Sequence, residues 1–241
     1  MQCEGADVQR VVGHTGGSLV DATWAANKAV ARVGRRAELR TAEVLDPLAK
    51  RSDGPTVLHD LAIPIPGITA NIDHVVVSGR RVLIIDSKGW KPARYWSLGN
   101  AAFRGFRRFE HAKTRTPRMA LEALAGYLRG RGVKARLLRP VVAVWPSSAS
   151  GSVSVALLGM DGCRPVLGER LARVVRQSAG LHAADPEVVA ALARLVNPRP
   201  RRAGSRQDSR DWANRVDRSD GSTDDRRRVA APVRRPSPHR R

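Results

Sequence analysis

The chain is poor in cysteine. Its two cysteines, Cys3 and Cys163, lie far apart and form no pattern with histidine. Such a pair has neither the spacing of a zinc site nor the density of a small disulfide-stabilised domain. We therefore expect two free thiols in a reducing compartment and predict a cytoplasmic protein.

Long apolar segments are lacking as well. No run in the sequence approaches the roughly 18 apolar residues that a membrane-spanning helix needs. The N-terminus has no basic stretch followed by an apolar core, so we expect no signal peptide. The sequence therefore predicts no membrane span.

Acidic residues are scarce relative to basic ones. The 241 residues contain 22 Asp and Glu against 43 Lys and Arg, a formal net charge of +21. Such a balance favours polyanionic partners, with nucleic acid first and anionic membrane second. Arginine greatly outnumbers lysine and alanine is abundant, a bias that a GC-rich genome produces by itself. The charge is therefore weak evidence when taken alone.

Composition divides the chain into three parts. Residues 1–20 are Gly-rich, and we expect them to be poorly ordered. Residues 21–196 are expected to form one domain that ends in two short helices, over 167–177 and 186–196. Residues 197–241 are rich in Arg, Ser, Asp, Pro and Gly and hold too few apolar groups to form a core. They are therefore predicted to be a disordered basic tail.

The hydrophobic pattern predicts alternating helices and strands. A helix-compatible segment over 18–48 precedes a strand over 56–63 and a hairpin over 71–90. A helix is predicted to begin at Thr116-Pro117, followed by strands over 137–145 and 153–158. This order predicts an α/β sandwich in which helices flank a central mixed sheet.

The predicted hairpin over 71–90 carries charged residues where buried strands are normally apolar. Asp73 interrupts its first strand, Asp86 follows an apolar run in its second strand, and Lys88 comes two residues later. Strand side chains alternate with a period of two, so Asp86 and Lys88 share one face. A loop with an even number of residues would place Asp73 opposite Asp86, whereas an odd loop would place it opposite Ile85.

Two facing carboxylates repel each other, and a divalent cation between them would remove that repulsion. Mg²⁺ is commonly held by one or two carboxylates together with water and phosphate oxygens. A lysine beside such an ion can hold a phosphate or orient an attacking water. Asp73, Asp86 and Lys88 therefore suggest metal-assisted phosphodiester hydrolysis. The simpler interpretation is a Lys88–Asp86 salt bridge at the end of an edge strand.

The segments over 70–77 and 84–90, Ala-Asn-Ile-Asp-His-Val-Val-Val and Ile-Ile-Asp-Ser-Lys-Gly-Trp, resemble the core of the nuclease-related domain (NERD) family. That family is grouped with the PD-(D/E)xK restriction-endonuclease-like superfamily. The resemblance covers roughly residues 34–145 and includes the upstream Val-Leu-His-Asp at 57–60. Family members usually carry Gly-Glu on the preceding helix, where this chain has Ala37-Glu38.

The resemblance implies a restriction-endonuclease-like sandwich and a metal-dependent nuclease acting on DNA. Asp73 and Asp86 would bind Mg²⁺ or Mn²⁺. Lys88 would orient the attacking water or stabilise the developing charge, and Glu38 would complete the metal shell or hold Lys88. From the residues alone, Glu38 could equally be a solvated helix carboxylate paired with an arginine.

Residues 89–109 hold most of the aromatic side chains of an aromatic-poor chain, with basic residues among them. Basic groups bind phosphates and aromatic faces stack on bases, so this segment could line a substrate groove. The alternative is an aromatic hairpin that packs on the core while its arginines face water. The predicted nucleic-acid-binding residues are Arg94, Arg104, Arg107 and Arg108.

Other interpretations remain open at this point. The fold could be a nucleic-acid-binding module without catalytic activity, because Ala37 replaces the glycine and a glutamine that many family members carry on the next helix is lacking. A third hypothesis is a basic adaptor for a protein or a membrane surface. His59 and His74 are predicted to be packed or hydrogen-bonded residues rather than metal ligands.

Overall fold

The computed structural model describes residues 10–15, 28–113 and 116–197, and the statements below concern these ranges. A mixed sheet of seven strands forms the centre, with strand order β1-β2-β3-β4-β9-β11 and with β8 also paired to β4. Its strands are β1 (Val11–Val12), β2 (Thr56–Ala62), β3 (Asn71–Ser78), β4 (Arg81–Trp90), β8 (Arg136–Leu137), β9 (Val141–Pro146) and β11 (Arg164–Leu167).

The direction of the strands changes at β4. The segments β2, β3 and β4 are antiparallel neighbours joined through turns, whereas β9 runs parallel to β4 and β11 runs parallel to β9. A parallel neighbour needs a crossover connection, and the helix between β4 and β9 supplies it. The strand β4 therefore lies in the middle of the sheet, paired on both sides.

Helices cover both faces of this sheet. The structure contains α1 (Lys28–Ala49), α2 (Thr116–Gly130), α3 (Leu171–Ser178) and α4 (Pro186–Ala193), with short 3₁₀ turns at Glu110–Lys113 and Gly168–Arg170. Apolar residues of α1 and α3 pack with Leu83 and Ile85 of β4, and those of α2 and α4 pack with Val82 and Ile84. The side chains of β4 alternate between the two faces of the sheet and therefore belong to two separate hydrophobic clusters.

A second, four-stranded sheet has the order β10-β5-β6-β7. Its strands are β5 (Ala93–Leu98), β6 (Ala101–Arg104), β7 (Arg107–Arg108) and β10 (Val153–Leu157). Trp90, Tyr95 and Phe109 form an aromatic cluster beneath it, with ring centroids 4.8–4.9 Å apart. This third core cluster also includes Val142 and Val144 of β9, so the second sheet is anchored beside the first.

The predicted α/β sandwich with a mixed central sheet is confirmed. Some details differ from the sequence prediction. The segment Arg164–Leu167 is a strand paired with β9, so the helix expected from residue 167 begins only at Leu171. Val11–Val12 pairs with β2 inside a stretch predicted to be poorly ordered, because β2 leaves that edge open. The predicted tail from residue 198 onward lies outside the described residues.

The predicted strand over 137–145 is interrupted. Pro140 has no backbone N–H, and the strand divides around it into β8 and β9. Within the described ranges, no helix is long and apolar enough to cross a membrane.

Candidate active site

The hairpin that brings the charged residues together has a two-residue loop. Ser78 pairs with Arg81, so the loop consists of Gly79 and Arg80, and Gly79 takes a φ of 53° that favours glycine. The ladder then continues to the pair His74 and Ile85. The even-loop alternative is therefore the one observed. The same register, extended by one pair, places Asp73 opposite Asp86.

The two strands part just beyond that pair. The backbone N–H of Ser87 donates a hydrogen bond of 2.7 Å to Asp73 Oδ2. A continued ladder would have paired this N–H with the backbone of β3. The carboxylate of Asp73 therefore fills the opening between the strands, in a fixed position close to Asp86.

Asp86 and Lys88 form an ion pair at the same end of β4. Lys88 Nζ donates to Asp86 Oδ1 at 2.9 Å and also lies 2.8 Å from Oδ2. Oδ2 is buried and accepts no properly directed hydrogen bond within the described part of the chain. The predicted salt bridge is thus present, but on a strand paired on both sides and not at an edge. It contacts both oxygens of Asp86, although only Oδ1 accepts a directed hydrogen bond.

Helix α1 approaches this end of β4 closely because of a glycine. A Cβ on Gly89 would lie 2.4 Å from Val33 Cγ1 and 3.0 Å from the Val33 carbonyl oxygen. Any other residue would push the helix away from the strand. Five residues beyond Val33, Glu38 is only 9% exposed. Glu38 is therefore a buried side chain facing the sheet, and the alternative of a solvated helix carboxylate does not apply.

The electrostatics of the site reflect an excess of acids. Burial, followed by the charges of Asp73 and Asp60, raises the pKa of Glu38 to about 9. Burial and the neighbouring Asp86 raise the pKa of Asp73 to about 7. Burial alone would lower the pKa of Lys88, but the surrounding carboxylates raise it above its usual value. Lys88 therefore remains a cation across the working pH range, while the acids compete for protons.

Asp60 is a fourth acid near this site that the sequence did not single out. It has a φ of 55° in the middle of β2, a left-handed conformation that Asp tolerates better than most residues. The resulting irregularity sends Leu58 and Leu61 into the same core cluster, although regular alternation would separate them. Asn71 Nδ2 donates to Asp60 Oδ1 at 2.7 Å. Two signals in the sequence could have identified it, the acid inside an apolar strand and its place in the Val-Leu-His-Asp at 57–60 that resembles the family.

A chain of buried polar side chains lies on the α1 side of the sheet. His59 Nε2 is 3.0 Å from Asp46 Oδ1, and the Nδ1 atoms of His59 and His74 are 2.7 Å apart. His74 Nε2 is 3.1 Å from Ser87 Oγ. Burial lowers the pKa of both histidines, which favours the neutral imidazole. The prediction that they are hydrogen-bonded residues is confirmed.

This series of hydrogen bonds continues into α1 through Thr41. Ser87 Oγ donates to Thr41 Oγ1 at 2.8 Å, Trp145 Nε1 donates to the same oxygen at 2.9 Å, and Thr41 Oγ1 donates to the Ala37 carbonyl at 2.9 Å. Thr41 thus links β4, β9 and the turn of α1 that contains Glu38. The buried hydrogen bonds fix the helix relative to the strand that carries Asp86 and Lys88.

Thr41→Val is expected to lower the free energy of unfolding by about 2 kcal/mol, because a side chain of the same shape leaves the buried Trp145 N–H without an acceptor. The matched control is Thr41→Ser, which keeps the hydroxyl and should cost about half as much. Urea denaturation of the two variants measures the difference. Equal destabilisation by both variants would show that packing, and not the hydrogen bonds, anchors the helix.

The predicted arginines lie on the second sheet, whereas the acids and Lys88 lie on the first sheet and α1. Arg94, Arg107 and Arg108 are exposed. Arg104 is half-buried, and its guanidinium lowers the pKa of Tyr95 against the larger raising effect of burial. These arginines therefore lie on a different sheet from Asp73, Asp86 and Lys88, on the segment that directly follows β4.

The chemistry of the donor set fits a divalent cation. Four acids, Glu38, Asp60, Asp73 and Asp86, interact around one lysine, and Asp86 Oδ2 has no directed partner. Among the described residues, no three His, Cys, Asp or Glu side chains converge closely enough to enclose an ion. Mg²⁺ does not require such a cage, because one or two carboxylates suffice when water and phosphate supply the other oxygens.

Fold and site together define an α/β protein with an acidic, lysine-containing site where two strands of its mixed sheet part. Residues 33–145 match the model of the family described as nuclease-related domain. The resemblance to that family is thus confirmed over residues 33–145, and the superfamily assignment is consistent with it. The match indicates a nuclease-related function. Comparison with curated proteins and with solved structures finds no match.

Proposed function

We propose that this protein is a metal-dependent nuclease that hydrolyses phosphodiester bonds of DNA. The observation that carries the proposal is the grouping of Glu38, Asp73 and Asp86 around the single cation Lys88, in a site with an excess of buried negative charge. Such a site is costly without cations. It is well suited to a metal ion and a phosphate, which together balance the charge.

Asp73 and Asp86 would hold the metal ion, Mg²⁺ or Mn²⁺. The hydrogen bond from the Ser87 N–H keeps Asp73 in place, and Asp86 offers the oxygen that lacks a directed partner. When bound, the ion would supply Lewis-acid stabilisation of charge on the phosphate and lower the pKa of a bound water. Neither role requires Asp73 or Asp86 to transfer a proton.

Lys88 would act on the phosphate as a permanent cation. Its raised pKa excludes it as a general base near neutral pH, because it would not release its proton. Its ammonium group instead can stabilise negative charge that develops on the phosphate oxygens in the transition state. Glu38, whose pKa of about 9 keeps it protonated near neutral pH, would complete the metal shell or help to hold Lys88 once a cation lowers that pKa.

A nucleic-acid-binding module without catalysis is the second candidate. One observation favours it: Lys88 Nζ lies within 2.9 Å of both oxygens of Asp86, so the ion pair competes with any ligand for that carboxylate. Buried Ala37 at the position of the family glycine is a further departure from the pattern. On this hypothesis the arginines of the second sheet would bind nucleic acid, and no cleavage would follow.

Labelled oligonucleotides distinguish the two candidates. The full chain is incubated with single-stranded DNA, duplex DNA and RNA in Mg²⁺, in Mn²⁺ and in EDTA. The proposal predicts cleavage of DNA that requires the metal. Binding of the same oligonucleotides with no cleavage in either metal would favour the inactive module, and metal-dependent cleavage of RNA alone would correct the substrate.

The raised pKa values predict a pH-dependent stability of the metal-free protein. In the unfolded chain Glu38 and Asp73 lose their protons near their ordinary pKa values, 4.5 and 3.8, whereas in the folded chain they keep them up to about 9 and 7. Between these limits the folded state binds more protons, so stability falls as the pH rises. The buried histidines, whose pKa values are lowered, act in the opposite direction near and below pH 6.5. We therefore expect a lower melting temperature at pH 8.5 than at pH 7.5.

A bound cation would take the place of those protons. Mg²⁺ or Mn²⁺ should therefore raise the melting temperature at pH 8.5 by at least about 4 °C, which corresponds to 1–2 kcal/mol in a domain of this size, and should have little effect at pH 5.5. Scanning calorimetry with and without EDTA measures both effects. Equal stabilisation at the two pH values would contradict the protonation of these acids in the metal-free site.

A further inference from the structure

The second sheet ends in a hairpin whose turn carries a fully exposed phenylalanine. Arg104 pairs with Arg107 across a two-residue turn made of Gly105 and Phe106. Phe106 is 100% exposed, although most other large apolar side chains in the described residues are at least partly buried. We name residues 104–108 the arginine hairpin. A phenylalanine held entirely in water gains nothing for the fold. A single exposed apolar side chain is ordinary by itself, so the groups around Phe106 decide whether it has a partner.

Hydrogen bonds fix the backbone of the Gly105-Phe106 turn, although the Phe106 side chain is exposed. Trp96 Nε1 donates to the Gly105 carbonyl at 2.7 Å, and the Gly105 N–H donates to the Arg94 carbonyl at 2.8 Å. The Trp96 and Phe103 rings stack behind it, with centroids 4.6 Å apart and planes 20° from parallel. Gly105 adopts a φ of 58°, which glycine accepts readily. Phe106 is thus presented on a preorganised support.

The charges around Phe106 identify the kind of partner. The segment over 93–109 contains four arginines and no acidic residue. By the strand register, Tyr95 shares its face with Arg104 and Arg107, while Trp96 and Phe103 share the opposite face with Arg108. Cations therefore flank the turn on both sides of the sheet. A positively charged surface around an exposed aromatic ring complements a polyanion that also offers flat apolar faces, such as those of nucleic-acid bases.

From these contacts we infer that the arginine hairpin binds nucleic acid by stacking Phe106 against an unpaired base, with Arg107 and Arg108 on the adjacent phosphates. The unpaired base can belong to a single strand or to a duplex step that the ring opens. The inference takes nucleic acid as the ligand from the proposed function, because the hairpin follows the strand that carries Asp86 and Lys88. To that function it adds a means of selecting nucleic acids that contain an unpaired base.

Binding measured without cleavage tests this inference. Fluorescence anisotropy in EDTA compares the wild-type chain with Phe106→Ala on a labelled single strand, on a matched duplex and on a duplex with one mismatch. Loss of one base–aromatic stack should weaken binding to the single strand and to the mismatched duplex by about tenfold or more. If Phe106→Ala loses affinity only for the single strand, Phe106 stacks on a base of single-stranded nucleic acid. If it loses affinity only for the mismatched duplex, Phe106 stacks on a base at a duplex step that it opens.

Two substitutions separate stacking from charge. Phe106→Trp should preserve affinity, and its fluorescence should be quenched on binding as the indole stacks on a base. Phe106→Ala should leave the salt dependence unchanged, whereas Arg107→Ala should reduce the slope of log K against log salt by about 0.7 on a single strand. The matched control is Leu98→Ala, which removes a side chain 70% exposed at the neighbouring turn.

Several results would overturn the inference. Unchanged affinity of Phe106→Ala for every oligonucleotide would exclude stacking, and an equal loss with Leu98→Ala would indicate a general apolar surface. If Phe106→Ala bound vesicles containing anionic lipid more weakly than the wild type but bound the oligonucleotides equally well, the hairpin would be assigned to a membrane surface. A wild-type chain that binds as described but cleaves nothing in any metal would contradict the proposed nuclease and leave the hairpin assignment standing.

Discussion

Asp86→Asn is expected to reduce DNA cleavage by about 10³-fold or more while the protein stays folded. The substitution keeps the shape of the side chain but removes the negative charge that would hold the metal ion and that pairs with Lys88 at 2.8–2.9 Å. Loss of a charge that acts at the reacting phosphate typically costs two to three orders of magnitude, and loss of the ion would cost more. Initial rates on a labelled DNA duplex in Mg²⁺ measure the effect.

Controls show whether the loss belongs to the site. Asp161→Asn removes an acid whose side chain is 85% exposed, and it should leave the rate within about twofold of wild type. Circular dichroism and the melting temperature check that Asp86→Asn is folded. DNA binding in EDTA should survive, since the arginine hairpin is untouched. A folded Asp86→Asn protein with wild-type cleavage would remove Asp86 from the mechanism.

Lys88→Met is expected to lower kcat by about 10²- to 10³-fold with a much smaller change in KM. Methionine approximates the length of the side chain without its charge. Glu38 and Asp73 would therefore lose the cation that lowers their pKa values, and Asp86 would lose its ion pair. If Lys88 stabilises charge that develops on the phosphate, its removal acts on the transition state more than on substrate binding.

The same experiment distinguishes catalysis from simple attraction of DNA. Lys91→Met removes an exposed lysine three residues away and should change KM slightly and kcat very little. Lys88→Arg keeps the charge but not the compact ammonium group, and partial activity is expected. If Lys88→Met raised KM and left kcat unchanged, Lys88 would be a binding residue only.

The central hairpin could be predicted from sequence because its signals are local. A run of β-branched residues on each side of Ser78-Gly79 defines both strands. The sequence left an even or an odd loop open, and the two-residue loop of the structure sets the register that aligns Asp73 with Asp86. The helix carrying Glu38 and the mixed sheet followed from periodicity and from the family resemblance. These features depend on residues close together in the chain.

Contacts between distant residues could not be predicted in the same way. The left-handed conformation of Asp60, the bonds linking Thr41 to Ser87 and Trp145, and the close approach of Val33 to Gly89 all depend on how α1 packs on the sheet. Propensities do not encode that packing. Likewise, the aromatic residues after β4 were open to two interpretations, and the structure divides them: Trp90, Tyr95 and Phe109 are buried, whereas Phe106 is exposed.

Relaxation of supercoiled plasmid tests the central claim most directly. Wild-type protein and Asp86→Asn, purified identically, are incubated with plasmid in Mg²⁺, Mn²⁺ and EDTA. The account predicts nicked or linear DNA with wild-type protein in metal, intact supercoils in EDTA, and intact supercoils with Asp86→Asn in every condition. Intact plasmid with folded wild-type protein in both metals, or nicking that Asp86→Asn retains, would contradict a metal-dependent nuclease built on Asp73, Asp86 and Lys88.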